Sequence, residues 1–246
     1  MNNRLPIADI WVYLSGDPLF ALIITLATYQ LGYLCYVRAQ RNPLVNPVAI
    51  SVVLTCLTIH ALNMPYAQYF SGAQFVHFLL GTATVALAVP IYHGFKRMQG
   101  KLFYIWVALT VGSSLSIASA VGIARWMGVS DNIVGSLFAK SVTAPIAMGI
   151  AERLHVSPTL TAVFTVITGM LGAILAPYIL NLVKVPQWWI RGTAIGVGAH
   201  GLGITRAFSV NEEAGIYASM AMGLNGVISA ICLPVVLTAL RPILGF

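Results

Sequence analysis

The residues best suited to chemistry in this sequence lie in three polar stretches that interrupt long apolar segments. The first, Ala139-Lys140-Ser141-Val142-Thr143-Ala144-Pro145, combines a lysine, two hydroxyls and a proline. A charge at the centre of a membrane span costs about 2.5 to 3.5 kcal/mol, so we expect Lys140 to face a cavity or a partner. Pro145 lacks a backbone N–H, and Ser141 and Thr143 are placed to bond exposed backbone or a bound solute. Alternatively, the segment ends near Lys140 and the amine reaches the membrane interface.

The second stretch, Gly196-Val197-Gly198-Ala199-His200-Gly201-Leu202-Gly203-Ile204-Thr205-Arg206, is rich in glycine. Such density allows a helix to unwind, which at membrane depth is tolerated where the backbone is buried in protein or lines a cavity. His200 is a candidate proton carrier because imidazole titrates near neutral pH, and Arg206 is a candidate carboxylate partner. Gly201 would let the backbone contact a solute. Alternatively, the glycines serve close helix packing and His200 bonds a neighbouring helix.

The third stretch, residues 81–90, contains Thr82 and Thr84 among small residues and ends in a proline. Interruptions at matching positions of two halves point to a transporter binding site, although small residues are also common at helix interfaces. Asn225 lies in the last apolar segment and either reaches the cavity or bonds a neighbouring helix. No metal-ligand spacing, nucleophile motif or phosphate loop accompanies these residues, so we expect no metal, no cofactor and no enzymatic activity.

The elements that hold these stretches are apolar helices. Of 246 residues, 59% are hydrophobic and 8% are charged, and the mean hydropathy is +0.87, which excludes an ordinary soluble domain. A membrane span needs about 20 apolar residues. Eight segments approach that length: Leu19–Val37, Leu44–Leu62, Ala73–Tyr92, Leu102–Ala124, Asn132–Ala151, Thr159–Val183, Gly192–Phe208 and Ala214–Leu240. We predict an all-α polytopic membrane protein with about seven or eight spans plus re-entrant or broken helices.

Residues 1–18 are predicted to form an interfacial segment, and residues 19–246 a single transmembrane domain. Residues 19–124 and 132–240 are possible inverted repeats, because a re-entrant element between two sets of spans would invert the second set. Cysteines at three distant positions in the spans are expected to pack inside the bundle as small apolar side chains.

The formal charge of +7 comes from dispersed basic residues, which excludes a nucleic-acid surface. Basic loops mark the cytoplasmic side, so the loops containing Arg38 and Lys101 are placed inside the cell. If residues 132–151 cross the membrane, Lys184 lies outside. If they enter and return as a re-entrant hairpin, which is the arrangement we prefer, Lys184 and Arg241 both lie inside.

Four ordered motifs resemble the LrgB/CidB family of bacterial inner-membrane proteins: LLGTATVALAVPIY, AKSVTAPIAM, AHGLGITRAF and EEAGIYASMAMGLNG. The resemblance runs from about Phe78 to Pro234, and the sequence is also similar to the membrane half of the plastid glycolate/glycerate translocator. It differs from the family pattern at Thr82 and Ala139, where prolines are usual, and at Ala144, where threonine is usual. AHGLGITRA also stands where SHGIGTARA is more typical.

The resemblance implies two kinds of function. Some relatives are described as holin-like or antiholin-like modulators of murein hydrolase activity and autolysis, and others as carriers of small carboxylates. Members often act beside a smaller LrgA/CidA-type membrane partner. The resemblance implies a multi-pass protein of the bacterial inner membrane, and we expect a homo-oligomer, with a dimer as the simplest case.

We therefore predict a secondary transporter of small monocarboxylates, of the glycolate, glycerate or pyruvate type, coupled to protons or sodium and embedded in a lipid bilayer. Lys140 and Arg206 would neutralise the carboxylate, and His200 would carry the proton. The side chains that would bond the solute oxygens are Ser141, Thr143, Thr82, Thr84 and Asn225. Two alternatives stay open, namely a modulator of autolysis and a subunit of a two-component complex in which the polar stretches form the interface.

Overall fold

The computed structural model describes residues 18–42, 44–86 and 99–244, together with residues 89, 92 and 94. Within these residues every regular element is an α-helix, as predicted, and no strand is present. The helices are α1 (Pro18–Arg38), α2 (Pro47–Ala61), α3 (Tyr66–Ala86), α4 (Leu102–Trp126), α5 (Asp131–Leu137), α6 (Ala144–Arg153), α7 (Pro158–Leu182), α8 (Trp188–Val210) and α9 (Glu212–Leu244). The predicted interfacial segment, residues 1–18, lies outside the described residues except for Pro18, with which α1 begins.

Four stretches of these helices are long and apolar enough to cross a membrane: Leu19–Arg38, Leu102–Trp126, Pro158–Leu182 and Glu212–Leu237. α2 is apolar but has 15 residues, fewer than the roughly 20 that a span requires. The membrane character of the chain is thus confirmed, whereas the total of seven or eight spans stays a prediction.

Many large apolar side chains point outward from the helices, as Leu115 and Val235 do. Soluble monomers rarely expose apolar surface so widely, whereas contact with lipid favours it. Cys35, Cys56 and Cys232 are exposed as well, so the expectation that they pack inside the bundle is wrong. A thiol is small and weakly polar, and an outward apolar helix face accommodates it as readily as a core does.

The chain divides into two compact units, one up to Ala83 and one comprising the rest. In the first unit, the hydroxyls of Thr28 and Thr55 lie 2.9 Å apart and join α1 to α2. Such pairs satisfy polar groups between helices where water is absent. The predicted repeats, residues 19–124 and 132–240, do not follow the boundary between the units.

Within the second unit, the segment predicted at residues 132–151 folds back on itself. α5 and α6 are short helices joined by residues 138–143, and their far ends meet. The side-chain oxygen of Asn132 accepts a hydrogen bond of 3.2 Å from the backbone N–H of Ser157. A continuous helix would hold these two residues about 38 Å apart. We call the α5–α6 element hairpin 1, and its tip contains Lys140.

α8 also folds back, at His200, whose φ of 40° and ψ of −133° are not helical. Trp189 at the start of α8 contacts Tyr217, with ring centroids 6.2 Å apart, while Phe208 near its end lies against Gly215. Tyr217 and Gly215 are two residues apart in α9, so the two ends of α8 lie beside each other. We call α8 hairpin 2. The interruption predicted in this glycine-rich stretch is present.

The two hairpins begin at opposite ends of the second unit. The Lys101 amine at the start of α4 lies 5.0 Å from the ring centroids of both Trp189 and Tyr217, so α4, hairpin 2 and α9 begin at one end. Arg125, near the other end of α4, pairs at 2.6 Å with Asp131, the first residue of hairpin 1. We call these the Lys101 end and the Arg125 end.

The course of α9 overturns one topological expectation. Having begun at the Lys101 end, α9 buries Leu237 in a cluster with Val121 and Val134 near the Arg125 end. Arg241 follows Leu237 and therefore lies at the end opposite to Lys184. The expectation that these two basic residues share one side is wrong, because hairpin 2 returns the chain to the side it left.

Two glycines let hairpin 2 pack directly on α9. A Cβ added at Gly192 would overlap the backbone of Ala214, and one added at Gly196 would overlap the backbone of Ala218. Both pairs advance by four residues, so the first half of hairpin 2 runs parallel to α9. A Cβ at Gly198 would meet nothing within 4 Å. The glycine-rich stretch therefore serves packing at Gly196 and leaves open space at Gly198.

We expect Gly196→Ala to lower the Tm of the detergent-solubilised protein, because overpacking against rigid backbone costs about 1–3 kcal/mol. Gly198→Ala is the matched control and should leave Tm unchanged or slightly raised, because alanine favours helix over glycine. Thermal unfolding followed by tryptophan fluorescence measures both. Equal Tm values for the two variants would contradict the packing role of Gly196.

Candidate functional site

Lys140 occupies the tip of hairpin 1 and is held by hydroxyl groups. Its Nζ donates a hydrogen bond of 2.8 Å to Ser116 Oγ on α4 and lies 3.4 Å from Ser141 Oγ. The two hydroxyl oxygens are 2.9 Å apart. Among the side chains that the structure describes, no carboxylate lies within 4.0 Å of this amine. The cation is therefore solvated by protein groups without being neutralised.

Asn225 on α9 fixes the backbone of the same tip. Its Nδ2 donates a hydrogen bond of 2.8 Å to the Ser141 carbonyl, and its Oδ1 accepts one of 2.6 Å from Ser113 Oγ. The residue is 2% exposed, so both ends of the amide have protein partners where water is excluded. Of the two roles open to Asn225, these contacts favour bonding to a neighbouring element over contact with a solute.

His200 forms the tip of hairpin 2 and is 3% exposed. Its imidazole lies against the backbone of Lys140, and a Cβ added at Gly169 of α7 would lie 3.1 Å from Nδ1. Its Nε2 has no hydrogen-bond partner among the described residues. An unpartnered buried nitrogen costs about 1–3 kcal/mol, and an unusual backbone conformation costs a similar amount. Costs of this kind cluster at functional sites.

Thr143 carries a second polar atom without a partner. It occupies the N-cap position of α6, yet its side chain makes no capping hydrogen bond. Its Oγ1 is buried and unbonded within the described part of the chain. Pro145 at the second helical position has no N–H to offer this hydroxyl, and the N–H of Ile146 at the third position makes no bond to it. The hydroxyl therefore stays available near the tip of hairpin 1.

Arg206 and Gly201 lie on the returning half of hairpin 2. Arg206 is six residues beyond His200, or about 9 Å along a helix, and its guanidinium donates a hydrogen bond of 3.4 Å to Ser209. Gly201 directly follows His200 and is exposed. Among the described residues, the hydrogen bonds of the Lys140 amine go to Ser116 and Ser141, so the predicted role of Arg206 in binding the carboxylate stays a prediction.

The threonines of the third polar stretch stand apart from this network. Thr82 belongs to the first unit, is exposed, and donates a hydrogen bond of 2.8 Å to the Leu79 carbonyl of its own helix. Thr84 opens the second unit, and its side chain lies outside those that the structure describes. The predicted third wall of the site rests on the sequence alone.

Helix N-termini add positive charge at both tips. α6 begins just beyond the tip of hairpin 1, and the returning half of hairpin 2, residues 201–210, begins beyond His200. A helix N-terminus carries about half a positive charge, and Lys140 adds a full one. No group of three or more His, Cys, Asp or Glu side chains suited to a metal occurs in the described residues. The combination of cation, hydroxyls and helix N-termini suits a small anion.

The sequence prediction missed the serines of α4 and the glycines of α7. Ser113 and Ser116 are three residues apart and hence share a helix face, and such spacing inside an apolar span was the available signal. Gly169 and Gly172 admit the tip of hairpin 2, since a Cβ at Gly172 would lie 2.7 Å from that of Ala199. Their spacing was visible too, but small residues recur widely in membrane helices.

Known proteins match the chain over most of its length. The profile of the LrgB-like family matches residues 25–239. The protein YwbG of Bacillus subtilis (strain 168) is 31% identical over 220 residues, which cover 89% of this chain and 96% of YwbG. No solved structure matches the chain.

Other relatives have names that refer to holins. The holin-like protein CidB of Staphylococcus aureus (strain N315) is 25% identical over 224 residues, which cover 90% of this chain and 98% of CidB. The antiholin-like protein LrgB of Bacillus mycoides (strain KBAB4) is 24% identical over 217 residues, covering 88% of this chain and 94% of LrgB. These matches confirm the predicted resemblance, and the chain belongs to the LrgB-like family.

Proposed function

We propose that this chain is a multi-pass, non-enzymatic protein of the bacterial inner membrane that carries a small monocarboxylate of the glycolate, glycerate or pyruvate type. The observation that carries the proposal is the Lys140 amine, which has hydroxyl partners but, among the described residues, no carboxylate partner. A cation in an apolar interior is costly unless an anion or water compensates for its lost hydration. A bound carboxylate would compensate the charge and accept hydrogen bonds from the nearby hydroxyls.

The arrangement of the hairpins supports a carrier. Each hairpin returns to the end from which it started, so each would enter the membrane without crossing it. α4 with hairpin 1 and α7 with hairpin 2 repeat one order, a span and then a hairpin, in opposite directions. We therefore assign the inverted repeat to residues 102–153 and 158–210 in place of 19–124 and 132–240. Inverted repeats with broken helices at the membrane midplane are common in secondary transporters.

The coupling ion that we favour is the proton. Importing a monoanion against an inside-negative potential costs about 2.3 kcal/mol per 100 mV, and one co-transported proton cancels this term. His200 is the candidate proton carrier because its Nε2 is buried, unpartnered among the described residues and close to the tip of hairpin 1. Sodium stays the alternative, because one co-transported sodium ion would cancel the same electrical term.

Lys140→Met should abolish uptake of labelled glycolate, glycerate and pyruvate into proteoliposomes under a proton gradient. Losing a buried charged partner costs about 2 kcal/mol or more, which corresponds to roughly a 30-fold weaker interaction. The Ser116–Ser141 contact remains, so the variant should stay folded and elute as the parent does in size-exclusion chromatography. Lys184→Met, in the loop after α7, is the control and should transport normally. Full uptake by Lys140→Met would contradict the proposed site.

His200→Gly tests the proton role without disturbing the backbone, because glycine adopts a φ of 40° freely. We expect it to lose uptake driven by a pH gradient while it still exchanges labelled for unlabelled carboxylate. His200→Ala should show the same transport defect but a lower Tm than His200→Gly. Unlike glycine, alanine is destabilised by about 1 kcal/mol in a conformation with positive φ. Unchanged gradient-driven uptake in both variants would rule out His200 as the proton carrier.

A second candidate function is modulation of autolysis, which the names of the holin-like and antiholin-like relatives favour over transport. In that role the chain would act as a homo-oligomer, such as a dimer, or with a small LrgA/CidA-type membrane partner. The polar tips would then serve assembly. Control of lysis also follows from carboxylate flux if the solute alters the cell-wall enzymes, and the two functions would then have one cause.

Transport and direct control of lysis can be separated by measuring autolysis in a host strain that lacks its own LrgB-like proteins and expresses this chain. We expect the expressed protein to change the rate of detergent-induced autolysis, and we expect Lys140→Met to remove that effect while Lys184→Met keeps it. The turbidity of the culture measures the rate. A Lys140→Met variant that loses transport but still changes autolysis would show that lysis control is direct, and co-purification with the small partner would then test the assembly role.

A further inference from the structure

A groove of about 500 Å³ runs between α4 and the first half of hairpin 2. On α4 every fourth residue from Tyr104 to Ser116 lines the groove, so one face of that helix forms a wall. The opposite wall is formed by residues of hairpin 2 between Trp189 and Gly198. Twelve residues of helix correspond to about 18 Å, so the groove extends from the Lys101 end to the middle of the unit.

The floor of the groove meets the polar network. Ser116 lines the groove and its Oγ accepts the 2.8 Å hydrogen bond from Lys140. On the other wall, Gly198 lies two residues before His200, whose buried Nε2 is unpartnered in the described part of the chain. The cation and the unpartnered imidazole thus both lie close to where the groove ends.

The mouth of the groove carries a cation and aromatic rings. The Lys101 amine lies 5.0 Å from the ring centroid of Trp189, which lines the groove, and 3.8 Å from the Glu213 carboxylate. The aromatic contact fixes the ammonium beside the opening. Because the partner carboxylate is about half exposed, it neutralises this charge only in part, and an approaching anion meets a cation first.

Small residues keep the groove open along its length. A Cβ added at Gly198 would meet nothing within 4 Å, and one added at Gly112 would lie 3.7 Å from its nearest neighbour, a methyl group of Val197. On the Arg125 side, by contrast, the tip of hairpin 1 is closed by a core in which Val134, Phe138 and Val142 are at most 4% exposed. Among the residues that the structure describes, the groove thus reaches the network from the Lys101 end, and this core covers the tip of hairpin 1 on the Arg125 side.

We propose that this groove is the water-accessible route by which a small carboxylate reaches Lys140 and His200 from the Lys101 end, the side assigned to the cytoplasm. The inference rests on the proposed function and adds a path and a direction to it. The structure then represents the state that is open toward the Lys101 end, and hairpin 1 is the barrier on the opposite side.

Cysteine accessibility tests the route. Single cysteines are introduced by Ala108→Cys, Gly112→Cys and Gly198→Cys, after the three native cysteines have been replaced by alanine. Inside-out and right-side-out membrane vesicles are treated with an anionic, membrane-impermeant methanethiosulfonate. Thr110→Cys is the matched control, because it lies two residues from Gly112 at nearly the same depth, is exposed, and points to the other face of α4.

We expect all three groove cysteines to react in inside-out vesicles about tenfold or more faster than the control cysteine, because the reactive thiolate forms in water and not in an apolar surrounding. In right-side-out vesicles all four should stay unlabelled. The route would be overturned if Gly112→Cys and Gly198→Cys stayed unlabelled in inside-out vesicles although both variants still took up carboxylate. The proposed function would then still stand. Fast labelling that added pyruvate does not slow, in variants that show no uptake, would show that the groove is open to water and would overturn the proposed function.

Discussion

An ammonium group keeps its charge in an apolar interior only where protein groups replace the water it has lost. For Lys140 that replacement comes from Ser116 on α4 and from Ser141 at the tip itself, and Asn225 on α9 holds the Ser141 carbonyl in place. Two spans and a hairpin therefore converge on one short set of hydrogen bonds. The close approach of hairpin 2 places the imidazole of His200 against the same tip.

The glycines of hairpin 2 and α7 allow helix backbones to approach each other closely. Gly192 and Gly196 seat the first half of hairpin 2 on α9, and Gly169 and Gly172 seat its tip on α7. In a membrane, contacts of this kind gain little from the hydrophobic effect and depend on van der Waals packing. His200 can then adopt its non-helical conformation, because both flanks of the turn are held by neighbouring helices.

Sequence reasoning found the helical class, the interruptions at Lys140 and His200, and the family, because a charge or a dense run of glycine inside an apolar segment is a local signal. It did not find the return of hairpin 2, since a fold-back and a kinked crossing share one hydropathy pattern, and Arg241 was misplaced for that reason. Ser116 was not predicted as a site residue. A serine inside an apolar helix is a weak signal, because its hydroxyl can bond the backbone of its own helix and is buried at little free-energy cost. The repeats were predicted by counting spans, whereas the repeat that we propose also counts the hairpins, which are as long as spans in residues.

The hydrogen bond from Asn225 to the Ser141 carbonyl joins residues 84 positions apart in the chain. During synthesis, hairpin 1 leaves the ribosome well before α9 does, and its lysine meets the bilayer without that support. The tip of hairpin 1 therefore reaches its final hydrogen bonding only after α9 has been synthesised and packed against it. Assembly of the central site becomes a late event in biogenesis, and a chain that stops before α9 has no means of completing it.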